Sequence, residues 1–422
     1  MTYLSTLKLQ LKRVFGRRIL KVGIIILTVL LGGGFLVSRI DHSEPLTQEQ
    51  MTLKPGAIEI TADSGFADSV YLNYIKSNAK PPVEYIIDKF NSHDLVMLGE
   101  SHQIREDCQL IAQLIEPLYR RANVKVLAME LIKTKRNEEL NRLLTASEFD
   151  EQKIVAIFRE DYFYWGFQEY IDILRAVWRF NHTRSAKEAP FRVIGIQPDM
   201  NIYHVDCGSL PQKVYQFPRL LRMEELYAKP LMDVMDKKEK VLVQVGYFHT
   251  FLNYRSPKVV DGKMYGEFDR KRMGRLLSDK YGDRVFQIDL HVRYEGAKCY
   301  TEKPATPVSS LFEKLWVENG RRTIGFDVKG TPLGMLRDTS SYFFAYQKHV
   351  TLEDIAEGYI LQAPYEHLHC VKWIDGFANA ANFEKLNTYA VQRKLIVRGE
   401  CKTPAELNVK FATLLNDGIR FP

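Results

Sequence analysis

Five short, unbroken apolar runs punctuate this chain: DLVMLGE (94–100), VKVLAMELI (124–132), FRVIGIQPD (191–199), KVLVQVGYFHT (240–250) and RVFQIDLHV (284–292). A short continuous apolar run predicts a strand buried on both faces. Such strands belong to parallel sheets covered by helices. The segments between the runs carry helical spacing. Leu110, Leu114 and Leu118 recur after the first run, and Phe167, Tyr170, Ile171, Leu174, Val177 and Trp178 line one face of a later helix. Strand, helix and strand in this order predict an α/β fold with a mostly parallel sheet flanked by helices. Residues 133–185, long and charged, read as a helical excursion from that sheet. RTIGFDV and GYILQAP are expected as added edge strands.

Sites in open parallel sheets form beyond the carboxyl ends of the strands. Here each run delivers an ionisable group to that edge: Glu100 and His102, then Glu130, then Asp199, then His249, then Asp289 and His291. A purely structural sheet gains nothing from this, because burying such groups costs several kcal/mol unless they are paired. Glu100, His102, Glu130 and His249 are the leading catalytic candidates, and the same four could hold a divalent metal, with Asp199 and His291 as weaker members. Two histidines and a carboxylate can activate metal-bound water. Without metal, a histidine can serve as general base with a glutamate orienting it. Taken singly, each has a plainer reading: a helix cap, half of an ion pair, a satisfied loop histidine. Ser101 reads as a helix N-cap, and His367-Leu368-His369 as loop. No GxGxxG follows the first run and no Walker loop occurs, which removes support for dinucleotide and nucleoside triphosphate chemistry.

Apolar residues make 45% of the 422 and charged residues 26%, a globular composition. The net charge of +7 is uneven: Lys8, Lys12, Arg13, Arg17, Arg18 and Lys21 supply +6 of it before any acid occurs. The remaining body is nearly neutral and calls for no nucleic-acid partner. The basic segment 1–21 precedes an uncharged run, 22–38, at the short end of the spanning range of about 17–25 residues. The positive-inside rule then places 1–21 in the cytoplasm and the main domain in the periplasm or extracellular space. Residues 39–82 read as a linker and 83–422 as the α/β domain. Five cysteines without CxxC spacing indicate no disulfide scaffold. A homodimer is left open.

Gly99-Glu100-Ser101-His102 at the end of a first strand resembles the opening motif of the erythromycin esterase and ChaN-like haem-binding superfamily, to which Tiki proteins are also compared. Glu130 in LAMELI, the stretch from Trp165 through Asn181 to Asp199, and Gly246-Tyr247-Phe248-His249 are similar to its later motifs. The resemblance spans roughly residues 83–300. It implies one of two activities. One is a metal- or His/Glu-dependent hydrolase acting on an ester or peptide bond of a small-molecule or peptide substrate, with His102, Glu130, His249 and Glu100 in catalytic roles. The other is a haem- or iron-binding uptake protein without hydrolysis, in which relatives use a tyrosine as iron ligand. GYFH departs from the HNxH-like motif of the esterases, and no CxxCH exists for covalent haem.

Overall fold

The computed structural model describes residues 43–44, 47–61, 69–199, 223–260, 263–268, 271–294, 296–297 and 304–420. The basic segment 1–21, the apolar run 22–38, Cys207 and Cys299 lie outside the described residues. Among the described residues no helix is long and apolar enough to cross a membrane.

The five apolar runs form five strands: β1 (Leu95–Glu100), β2 (Val126–Lys133), β3 (Arg192–Gln197), β4 (Val241–Gly246) and β5 (Val285–Leu290). Two more follow, β6 (Ile324–Asp327) and β7 (Gly358–Leu361). Together they make one seven-stranded sheet in the order β6-β7-β5-β1-β4-β2-β3. Every pairing is parallel except β6 with β7. The RTIGFDV run is an edge strand, as expected. GYIL is not: it lies between β5 and β6 and is buried throughout, as four apolar-compatible residues with neighbours on both sides require.

Strand parity creates the layers. In β1, Val96 and Leu98 point into one apolar cluster while Leu95 and Met97 point into another. The first face is covered by α1 (Pro82–Lys89), α2 (Arg105–Ala122) and, from the excursion, α5 (Gln168–Thr183). The excursion also contributes α3 (Asn137–Leu143) and α4 (Glu151–Asp161). The opposite face is covered by α6 (Met223–Asp236) and α7 (Met273–Tyr281). A third cluster packs on the β5–β7 side, and it includes Ile60, Tyr71 and Ile75. The polar stretch expected as a linker therefore contains three side chains anchored in the body.

α2 has Glu106 and Asp107 in its first turn, Arg120 and Arg121 in its last, and Asn123 in the left-handed region beyond it. That distribution complements the helix dipole and the left-handed stop. Ser101 does not cap it. The helix begins four residues later, after a loop in which Gln103 takes φ 71°. Those four residues are spent turning His102 over the sheet edge.

Candidate active site

The carboxyl ends of three adjacent strands, β1, β4 and β2, converge on Glu130. β2 does not run straight into it. Met129 pairs with Gly195 and Lys133 with Gln197, so three residues of β2 face a single residue of β3. This bulge lifts Glu130 out of the ladder, as bulges beside sites commonly re-aim a side chain. One Glu130 carboxylate oxygen, Oε2, accepts the backbone N–H of Gly246 at 2.7 Å. The same oxygen lies 3.6 Å from Nε2 of His102, and Oε1 lies 3.6 Å from Nε2 of His249.

Each imidazole is tied from behind. His102 Nδ1–H donates to Glu100 Oε1 at 2.8 Å. That carboxylate, buried at the end of β1, also accepts from the Tyr170 hydroxyl at 3.0 Å and from the Gln244 amide at 2.9 Å. His249 sits on the single helical turn Tyr247–Thr250 after β4, and its Nδ1–H donates to Glu224 Oε2 at 2.9 Å. Glu224 on α6 is buried and is held by Arg272 at 3.0 Å and by the N–H of Met273 at 3.0 Å. The result is a row, Glu100–His102–Glu130–His249–Glu224, in which carboxylates and imidazoles alternate. Gly246 lies beneath it: a Cβ there would come within 3.1 Å of His102 Nε2 and 3.4 Å of Glu130 Oε2. Trp165 meets the His102 ring edge-on at 5.3 Å, and Tyr227 tilts against His249 at 4.9 Å.

The electrostatics follow from this row. Burial works against charging His102, but its hydrogen bond to Glu100 and the charges of Glu130 and Glu100 outweigh it, raising its pKa to about 9. Burial likewise opposes charging His249, and Glu224 and Glu130 raise its pKa despite Arg272. Both rings are thus held toward the imidazolium form. A raised folded-state value means that the favourable interaction is complete below the ordinary histidine pKa of 6.5 and is lost as pH climbs through about 9. Proton NMR of the histidine ring signals should show His102 titrating near pH 9. Glu100→Gln should return that midpoint toward 6.5; a midpoint unmoved by the change would contradict the assigned cause.

The remaining sequence candidates go elsewhere. Asp199 is exposed and its ion-pair contact is Lys135 at 3.9 Å, because β3 ends at Gln197 and the chain turns outward at Pro198. His291 is buried beyond β5, bonded to the Tyr359 hydroxyl at 2.9 Å and facing Glu313 at 3.2 Å. Asp289 is also buried, beside Gly99, and burial pushes its carboxyl up to about 8 despite a bond from Gln287. Asn181 is structural: its amide bonds Leu144 and Phe191, stapling α5 to the start of β3. His369 is exposed on Glu106. Three participants escaped the sequence reading. Gln244, a polar residue inside an apolar strand, gave a usable signal; Glu224 and Tyr170 on helices gave none.

Among the described residues no group of three or more His, Cys, Asp or Glu side chains is placed to hold a metal ion. Each Nδ1 donates to a glutamate, which leaves Nε2 of both rings, 3.6 Å from Glu130, as the nitrogens that a metal ion would take. Ligation needs neutral imidazole, so both rings would first have to give up the proton that the surrounding glutamates favour.

Residues 86–204 match the family described as haem-binding uptake, Tiki superfamily, ChaN. Among solved structures, ChaN of Campylobacter jejuni with cofacial haem is 12% identical, covering 50% of this chain and 86% of that one, with a TM-score of 0.32. A mutant of the erythromycin esterase EreC in its open conformation is 12% identical, covering 66% and 93%, at 0.43. A succinoglycan biosynthesis protein is 12% identical, covering 68% and 95%, at 0.44. No curated protein sequence is significantly similar to this chain. The segment that carries β1, Glu100, His102, Glu130 and β3 thus matches the family that its motifs resemble, the one described as haem-binding uptake, Tiki superfamily, ChaN.

Proposed function

We propose that the protein is a hydrolase of an ester or peptide bond, held outside the cytoplasm by residues 22–38. The observation that carries this reading is the pair of imidazole–glutamate dyads facing Glu130 from opposite sides. In that geometry Glu130 is the group that takes a proton from attacking water. His102 and His249, in imidazolium form, are donors to the developing oxyanion and to the leaving group. Glu100 and Glu224 fix the orientations of the rings and stabilise their positive charge, with Nδ1–H toward the glutamate in each case. The rings thus serve as acids and electrostatic stabilisers rather than as the base that the sequence suggested. Gly246, with no Cβ, leaves space beside the His102 ring and the Glu130 carboxylate.

The family match favours a second reading, haem capture without hydrolysis. One experiment separates the two. The purified full-length chain and its His102→Ala variant are assayed on p-nitrophenyl esters and short peptides, and both are titrated with haem. Hydrolysis that falls at least about 100-fold in the variant supports the hydrolase. A saturable Soret shift in a chain with no hydrolysis would replace it with the haem reading.

A further inference from the structure

A cleft of about 390 Å³ lies at the end of β2, between α4 and the segment 379–385. Three cations, Lys133, Arg159 and Lys385, share it with two carboxylates, Glu160 and Asp161. The carboxylates are already engaged. Arg136 holds Asp161 at 2.9 Å and Glu160 at 2.6 Å, and Lys135 approaches Asp161 at 3.5 Å. Lys133 reaches that same Asp161 at 3.7 Å, although its side chain is 7% exposed. Arg159 is bonded to backbone instead of to an acid: Nε donates to the Phe377 carbonyl at 2.9 Å and Nη2 to that of Gly376 at 3.5 Å. Burial lowers its pKa, with no carboxylate raising it. Lys385 is exposed at the rim.

A buried ammonium with a distant, shared counter-ion beside a guanidinium bonded to carbonyls is an expensive pairing in a low-dielectric wall. It becomes favourable when a negative group enters, since bonds from a charged donor to a charged acceptor are about twice as strong as neutral ones. The rest of the lining sets the shape of such a guest. Phe163 and Ala156 supply an apolar wall and Asn379 an amide. We propose that this cleft binds a small organic anion, its carboxylate or phosphate head between Lys133 and Arg159 and its carbon body against Phe163. No residue of the Glu130 row lines the cleft, so the proposal stands apart from the hydrolase reading.

Titration calorimetry of the full-length chain with inorganic phosphate, and separately with butanoate, at constant ionic strength tests it. Saturable binding of either is expected. A preference for phosphate marks a phosphate head, and a preference for butanoate a carboxylate. Arg159→Gln and Lys385→Glu should each weaken that binding about tenfold. Lys385→Glu changes an exposed position and keeps the test valid if Arg159→Gln fails to fold. Weakening in either folded variant supports the site. Absence of saturable binding by both anions, or unchanged affinity in every folded variant, overturns it.

Discussion

Glu130→Gln is expected to lower hydrolysis by about 10²–10⁴-fold while leaving the protein folded. The amide oxygen of glutamine can still accept the Gly246 N–H that Glu130 now takes at 2.7 Å, so the loop after β4 stays in place. What disappears is the negative charge between two imidazoles, each 3.6 Å away. Glu130 is one of the charges that raise the pKa of both rings, so both should titrate lower in the variant. The decisive measurements are kcat and KM on the substrate found in the ester and peptide screen, together with the histidine titrations. A fall in kcat with KM little changed places the carboxylate in the transition state rather than in ground-state binding. Retention of kcat within threefold, with the titrations shifted, would remove Glu130 from the chemistry while leaving its electrostatic role intact.

The second large effect is on folding. Gly195→Ala is expected to destabilise the chain by about 2–4 kcal/mol or to prevent folding. A Cβ at Gly195 would fall on the backbone carbonyl of Ile132, well inside contact distance. That carbonyl belongs to the bulge of β2, and Asn137 holds the other side of Gly195, accepting its N–H at 2.6 Å. The Ile132 backbone cannot yield as a flexible side chain would, and a shift of Gly195 away from it would strain the bond to the Asn137 amide. Urea denaturation, with the midpoint and slope compared to the parent chain, gives the result. A change below about 0.5 kcal/mol, the range of ordinary surface substitutions, would mean the bulge relaxes freely. Since the bulge lifts Glu130 toward the histidines, a folded Gly195→Ala protein should also lose activity, which links the two predictions through one element.

The parallel sheet was legible because five runs buried on both faces leave no polar alternation to misread. The strand ends were legible because each places its ionisable residue where the apolar run stops. Glu100, His102, Glu130 and His249 were found that way, and the structure brings those four together. The same rule overreached at Asp199 and His291. Beyond the last strand residue the loop decides where a side chain goes: Asp199, two positions past Gln197, turns to solvent, and His291, one past Leu290, turns into the β5–β7 core. Glu224 was hidden for a different reason. It sits in Met223-Glu224-Glu225-Leu226, where two adjacent glutamates look alike, and tertiary packing alone selects the one that meets His249. The bulge itself could not be read, since a run of apolar residues does not announce which of them fall out of register.

Arg272 completes the alternating row, setting two imidazolium groups and one guanidinium against three glutamates. Opposed charges a few ångströms apart cancel at a distance, and at 0.15 M salt any residue of their field is screened within about 8 Å. Such a centre does not draw charged molecules in from afar, in contrast to clefts lined with a single sign. What reaches it is chosen at contact, by the fit of a polar group between two rings and over the bare backbone of Gly246. Discrimination then rests on ångström-scale placement, and the element that sets this placement is an irregularity of two extra residues in one strand.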